Sequence, residues 1–381
     1  MTERLYDFDS YLKKFTAKVI SCEETDDGKF KVALDKTAFF PEEGGQCCDT
    51  GTLGDANVLF VSIDKENVIT HITDKALSGE VTGEIDFEKR FRNMQNHTGE
   101  HILSGIIYRK YGFNNVGFHL GEAEVTMDVD GVLTREQVDE IELIANKVVY
   151  DNVSVVGYYP EKEVLKMLEY RSKKEIDGDI RIVTVEGVDD CACCAPHVKS
   201  TGEIGVIKIL SSAKMRGGTR LSIKCGLDAF IDYSEKCKSA YAISTLLKTP
   251  QNEIATAVNN LFEDNKALKY KIGQLKRESI LMRAENIEKT SGNLCIFEED
   301  LSGDDLRFLA NAVKEKCGGI CAVLSGNDAD GYTYCLASDS VDLKEKSSEI
   351  NSALNGRGGG SKVMIFGSFN ATKTEIEDFL R

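Results

Sequence analysis

Three of the five histidines in the chain fall into two short spacings that suit a metal ion. His97 and His101 stand four apart, in a stretch whose pattern predicts a helix over Met94–Tyr111. Residues i and i+4 share one helix face, so both imidazoles can reach a single ion. Cys193 and His197 repeat the spacing in Asp190-Cys191-Ala192-Cys193-Cys194-Ala195-Pro196-His197, where Pro196 and the small residues favour a turn. The four together make a His3Cys set, and mixed nitrogen and sulfur ligation suits zinc, one ion per chain. Cys191 and Cys194 compete for the sulfur position. Such an ion lowers the pKa of a bound water or holds an electron-rich group of a substrate. Glu100, beside His101, reads as a general base, as a partner that orients a histidine, or as a solvent-facing helix residue.

Further candidates lie outside these pairs. Phe39-Phe40-Pro41-Glu42-Glu43-Gly44-Gly45-Gln46 is followed by Asp49 and Gly51. Gly44 and Gly45 allow close backbone approach, and Gln46 offers both a donor and an acceptor to a substrate. A tight turn in a small barrel is the plainer reading. His119, soon after the predicted helix, is a substrate contact or a core or loop histidine, while His71 reads as structural. The run Asn355-Gly356-Arg357-Gly358-Gly359-Gly360-Ser361 follows a predicted helix. Its amides suit RNA phosphates, or it is simply a turn.

These residues need elements to hold them. The 381 residues suggest two or three domains with ample cores. Residues 1–90 read as β-rich, with strands at Lys18–Ser21 and Phe30–Leu34 around the turn Asp26-Asp27-Gly28. Residues 91–228 mix helices and strands. Ala123, Val125, Met127 and Val129 alternate as a half-buried strand, Glu136–Tyr150 reads as a helix and Arg181–Val185 as a strand. From Thr249 as N-cap and Pro250 as first helical residue, a helix is expected in 229–290. Its seam is Ile254, Val258, Leu261, Asn265, Leu268, Ile272, Leu275, Ser279 and Met282, at alternating steps of four and three. The seam packs on its own chain or forms a coiled coil. Residues 291–381 read as an α/β module with strands at Cys295–Phe297, Ile320–Leu324 and Tyr332–Leu336, and helices at Leu306–Lys316 and Leu343–Leu354. The expected class is therefore α+β: a small β-barrel-like domain, an α+β zinc domain, a helical linker and a C-terminal α/β domain.

Composition narrows the setting. The N-terminus is charged, without the apolar core of a secretion signal, and no run of 18 apolar residues occurs. A cytoplasmic protein without a membrane span is expected, its 12 cysteines reduced and mostly small core residues. A net charge of −16 argues against indiscriminate nucleic-acid binding. Basic residues nevertheless cluster at Lys89-Arg90-Phe91-Arg92 and from Lys199 through Lys208, Lys214, Arg216 and Arg220 to Lys224.

Five motifs, in order, resemble the editing and C-terminal domains of alanyl-tRNA synthetase. Asn96-His97-Thr98-Gly99-Glu100-His101 matches its HxxxH, and Cys193 with His197 its CxxxH, leading into Thr201-Gly202-Glu203-Ile204-Gly205. Phe39–Gln46 with Asp49 and Gly51 is similar to FYPxxGGQxxDxG. Gly217-Gly218-Thr219-Arg220-Leu221 resembles the GxRRI strand, and Asn355–Ser361 with Gly367 the glycine-rich C-terminal end. With no aminoacylation domain before residue 1, the chain resembles the long, free-standing alanyl-tRNA editing (AlaX) proteins. The resemblance implies a zinc-dependent deacylase that removes serine, then glycine, from mischarged tRNA for alanine. It implies metal ligands His97, His101, Cys193 and His197; Gln46, Glu100 and His119 are candidates for the chemistry from their own positions, and the family often has an uncharged residue where Glu100 stands. Gly44, Gly45, Gln46, Arg220, Gly358, Gly359 and Gly360 would contact substrate or tRNA. A homodimer through the helical segment and C-terminal domain is expected, and nucleotide binding, ATP included, rests on the resemblance alone. Two departures matter: the usual CGGTH is Cys193-Cys194-Ala195-Pro196-His197, and Thr219 replaces the first basic residue of GxRRI. Other readings are an HxxEH metalloprotease using Glu100 as base, a non-catalytic zinc module that binds tRNA or dimerises, and a threonine-type editing domain.

Overall fold

Short alternating strands build the N-terminal part of the structure, a computed structural model that describes residues 1–172 and 179–380. β1 (Glu3–Arg4) pairs in parallel with β4 (Lys36–Thr37). β2 (Lys14–Glu24), β3 (Phe30–Leu34), β5 (Gly51–Leu53), β6 (Ala56–Ile63), β7 (Ile69–Thr73) and β8 (Glu80–Ile85) close a barrel in the order β2-β3-β7-β6-β5-β8. Phe15, Val32, Leu34, Leu53, Val61, Ile69 and Val81 fill its interior. The expected hairpin holds, with Gly28 at φ 72° completing the turn between β2 and β3.

Asp86 then caps α1 (Phe87–Tyr111), its carboxylate accepting from the Lys89 amide. That cap starts the helix seven residues before the expected Met94, and Gly112 at φ 72° ends it. β9 (Asn115–Leu120) and β10 (Val125–Val129) follow. β10 starts at Val125, not Ala123, because the Gly121 amide bonds the Glu124 carbonyl in a turn. α2 (Arg135–Asp151) carries a full capping box at Thr134 and Gln137. β11 (Val155–Tyr158), α3 (Lys162–Leu165), β12 (Ile182–Val185) and β13 (Asp189–Ala192) come next, then β14 (Ile207–Met215) and β15 (Gly218–Cys225). One sheet runs β14-β15-β10-β9 and a second β11-β12-β13. α1 lays Ile102, Leu103 and Ile107 into a core with Met127, Leu221 and Ile223 from the larger sheet and Ile141 and Ala145 from α2.

The chain divides into two compact units, Met1–Ala242 and Ile243–Arg381. The barrel and the mixed fold therefore share one unit. One link between them is Arg90, fully buried at the start of α1, whose guanidinium donates to Asp49 and to the carbonyls of Ser10 and Ala38. The division falls within the expected 229–290 segment, which contains two helices, α4 (Leu227–Leu247) and α5 (Ile254–Glu285). Pro250 does not open a helix: a 3-10 turn, Gln251–Glu253, intervenes.

In the second unit, β16 (Leu294–Glu298), α6 (Gly303–Val313), β17 (Cys321–Asn327), β18 (Gly331–Ala337), α7 (Leu343–Ala353), β19 (Gly356–Gly360), β20 (Met364–Phe369) and α8 (Lys373–Leu380) form a sheet β16-β17-β18-β20-β19 with helices. The glycine run is thus an edge strand, not a loop. Its Gly358 pairs with Gly367, and a Cβ on Gly358 would lie 2.4 Å from Tyr334 Oη. On α5, Ile280 and Ala284 are buried. The seam residues Val258, Leu261, Leu268, Ile272, Leu275 and Met282 are exposed. Among the described residues no helix is long and apolar enough to cross a membrane.

Candidate metal centre

α1 carries His97 and His101 into the interior one turn apart, both buried. The segment after β13 brings Cys193 and His197 to them. One donor atom from each of the four lies within 4.8 Å of the others. Cys193 Sγ is 3.6 Å from His97 Nε2 and 3.4 Å from His197 Nε2. Metal–nitrogen and metal–sulfur bonds of zinc length, set on a tetrahedron, separate N and S by about 3.5 Å. The donor set therefore fits a zinc ion.

The outer nitrogen of each imidazole faces a partner. His97 Nδ1 donates to Gln46 Oε1 at 2.7 Å. His197 Nδ1 lies 3.0 Å from Thr98 Oγ1. His101 Nδ1 is 3.3 Å from Asp189 Oδ2, an ion-pair separation without a well-aligned hydrogen bond. Asp189 is itself gripped by Arg171 through two bonds of 2.7 Å. These contacts leave the Nε2 atoms of His97 and His197 turned to the sulfur. Groups that fix Nδ1 in this way set the tautomer and raise ligand basicity.

Electrostatics suit the donor roles of Cys193 and His197, whereas His101 must give up a proton to bind a metal. Burial opposes a charge on Cys193, but His97 and His197 and hydrogen bonds from His101 and His197 outweigh it and hold the thiol well below its ordinary value. Burial also opposes a charge on His101, and Cys191, Asp189 and Cys193 overcome it and hold this imidazole well above the usual range. Burial pushes His197 down to about 3, which keeps it neutral.

The alternative sulfurs stand apart from the four converging donors. Cys191 groups with His101 and Asp189, and burial pushes its thiol up to about 11. Burial, with Cys193 and Glu43 adding to it, raises Cys194 well above the ordinary range. Glu100 is buried, not solvent-facing: Ser104 Oγ donates to its Oε1 at 2.5 Å and Asn115 Nδ2 donates to the same oxygen. Its Oε2 lies 4.0 Å from His101 Nε2.

Gly44 and Gly45, at φ 63° and 86°, make the turn that delivers Gln46. Leu120 donates to the Gly45 carbonyl at 2.7 Å, and a Cβ on Gly45 would meet the Phe118 carbonyl at 2.2 Å. Their close approach is thus to β9. Gln46 is buried, and its Nε2 has no partner among the described residues. His119 does not join the cluster. Strand alternation turns Phe118 inward, its ring 4.8 Å from that of His97, and leaves His119 exposed.

The basic clusters are largely neutralised by distant acids. Arg90 pairs with Asp49, Arg92 with Asp228 and Lys89 with Glu122. In the second cluster Lys208 meets Glu142, Lys224 meets Asp232, and Arg220 meets its cross-strand neighbour Asp128 twice at 2.7 Å. Gly358, Gly359 and Gly360 lie in β19 of the other unit.

Sequence reasoning missed Asp189, Arg171, Thr98 and Phe118. Thr98 adjoins His97 and was within reach of a helical-wheel argument. Asp189 and Arg171 meet through β-bridging around β13, which no spacing announces.

Comparisons with known proteins point the same way. Residues 180–221 match the family described as the threonyl and alanyl tRNA synthetase second additional domain. The alanyl-tRNA editing protein AlaX-L of Pyrococcus horikoshii is 29% identical, over 99% of this chain and 97% of that protein. The alanyl-tRNA editing protein Aarsd1 of Rattus norvegicus is 27% identical, over 96% and 93%. An alanine–tRNA ligase of Natronomonas pharaonis is 32% identical over 90% of this chain, which spans only 39% of that ligase.

Proposed function

We propose that the chain, like the alanyl-tRNA editing proteins it resembles, is an aminoacyl-tRNA deacylase that clears seryl- and then glycyl-tRNA for alanine at a zinc site. The observation that carries the zinc reading is the convergence of His97, His101, Cys193 and His197 with an outer partner behind each histidine. A zinc ion there would supply Lewis-acid chemistry for ester hydrolysis or would hold the substrate's amino group.

The chain's own residues do the remaining work. Gln46, Thr98 and the Asp189–Arg171 pair hold the three imidazoles in register. Ser104 and Asn115 fix the carboxylate of Glu100 beside His101, where it can take a proton from the hydrolytic water. Phe118 packs beside His97, its ring tilted at 45° with centroids 4.8 Å apart. The unpartnered Nε2 of Gln46 is a buried donor, and a site built to bond a substrate hydroxyl discriminates strongly against the analogue that lacks it. That reasoning ranks serine above alanine. Glycine is accepted by size and ranks second. With Cys193 as the fourth donor, the protease reading lacks the extra carboxylate ligand it requires.

The exposed seam of α5 supports self-association of two copies, and the second unit serves affinity for tRNA or assembly more than chemistry. The deciding experiment incubates purified protein with seryl-, glycyl- and alanyl-tRNA of identical sequence and follows release of each amino acid. Seryl-tRNA should be cleaved much faster than alanyl-tRNA. Equal rates would reject hydroxyl recognition, and no release of any amino acid would reject the zinc-hydrolase reading.

A further inference from the structure

On the first unit, cations and aromatic rings interleave on a surface the chemistry above does not use. Lys13 Nζ stands 4.3 Å from the centroid of the Phe87 ring. Phe87 stacks on Phe91 with centroids 6.0 Å apart and an interplanar angle of 28°. Tyr11 lies 5.9 Å from Phe87 and 6.3 Å from Phe91. Lys199 Nζ sits 4.5 Å from the Tyr11 ring. The three rings are partly exposed, and both lysines are exposed.

The chain ties this ledge to the metal centre from three directions. Phe87 and Phe91 share a face of α1, the helix of His97 and His101. Lys199 is two residues beyond His197. The Ser10 hydroxyl donates to the His197 carbonyl at 2.9 Å, and Tyr11 Oη accepts from the Lys199 amide at 3.1 Å while donating to Glu203 at 2.6 Å.

Charge singles the ledge out. In a chain of net charge −16, most cations near the site are paired with acids. Lys13 has no carboxylate partner among the described residues, and Lys199 has only exposed Asp9 at 3.4 Å. Core packing explains the rings but not two exposed ammonium groups held over them. Rings that can stack a base, flanked by cations that can meet its phosphate, are the recurring surface for single-stranded nucleic acid.

We propose that Tyr11, Phe87 and Phe91, flanked by Lys13 and Lys199, bind the single-stranded 3′ end of the RNA substrate. The rings stack the bases that precede the terminal adenosine. Phe91 and His97 are separated by about 9 Å along the axis of α1, room for two or three bases stacked at about 3.4 Å. The inference rests on the deacylase reading for its orientation, with the esterified end at the metal centre and the preceding bases on the ledge.

The probe is a fluorescently labelled RNA tetramer, ACCA, carrying no amino acid and titrated with the full chain while anisotropy is followed. Lys13→Ala and Tyr11→Leu should each weaken binding by about fivefold or more. They should raise KM for seryl-tRNA by a similar factor with kcat nearly unchanged. Tyr11→Phe keeps the ring and loses the Glu203 bond, so it should bind as the parent does. Three results overturn the proposal. The parent shows no saturable binding of the tetramer; Lys13→Ala and a Tyr11→Leu protein of unchanged melting temperature both bind it as the parent does; or a blunt RNA duplex competes as well as the tetramer. Tetramer binding that responds to these variants, in a protein that releases no amino acid, would keep the ledge and reject the deacylase reading.

Discussion

Each cluster histidine has its outer nitrogen engaged, but the three partners differ in strength. Gln46 and Thr98 are neutral, whereas Asp189 is a buried carboxylate clamped by Arg171. Burial disfavours its charge, yet Arg171 and His101 hold its pKa below the ordinary value. Asp189→Asn keeps the shape and removes the charge, so zinc affinity should fall about 10- to 100-fold, measured by competition with a chromogenic chelator. Unchanged affinity would show that Asp189 orients nothing. At this scale the sequence was legible where chemistry follows a short spacing. His97, His101, Cys193 and His197 are two i, i+4 pairs and were found that way. Asp189 and Arg171 were not, because their meeting depends on strand pairing 18 residues apart. His119 lies exposed on β9, since nearness to the zinc helix in sequence does not decide which face of the strand a side chain occupies.

The elements show what holds the donors still. Gln46 reaches His97 because Gly45 lets the barrel's loop press against β9, and Arg90 fastens the barrel to the first turn of α1. The barrel contains its own titratable residue. His71 is fully buried, 2.9 Å from Thr37 Oγ1 and 3.2 Å from the Val32 carbonyl, and burial pushes its pKa down to about 4. The unfolded chain, with an ordinary value near 6.5, takes up the proton first as pH falls. This contribution to stability is complete above about pH 6.5 and drains away toward pH 4. By pH 4.5 about 2–3 kcal/mol should be lost. The check is urea unfolding at pH 7 and pH 4.5 for the parent and His71→Gln, whose pH dependence should be shallower by that amount. Equal slopes would sink the assignment. Helices with caps and strands with alternating side chains could be read from sequence. β19 could not, since five residues with one side chain longer than hydrogen carry no alternation. Its strand character comes from the partner β20.

At the scale of the whole molecule, the heptad seam of α5 leaves Val258, Leu261, Leu268, Ile272, Leu275 and Met282 exposed. Its spacing was read directly from the sequence, whereas whether its own chain would cover it could not be, since covering depends on the fold. If a second copy buries it, sedimentation should give a dimer, and Leu268→Glu with Leu275→Glu should give a monomer that still deacylates. A parent that sediments as a monomer at all concentrations would remove the case for self-association. The metal centre also bears on how the first unit folds. Cys193 lies 96 residues from His97 in the chain. Bringing the ends of a loop of that length together costs roughly 4 kcal/mol of chain entropy. An ion that binds all four donors would offset that cost only where α1 and the segment after β13 have met, so a bound metal should stabilise the folded state. The thermal midpoint should rise with free zinc and fall on chelation, and a midpoint indifferent to both would rule this out.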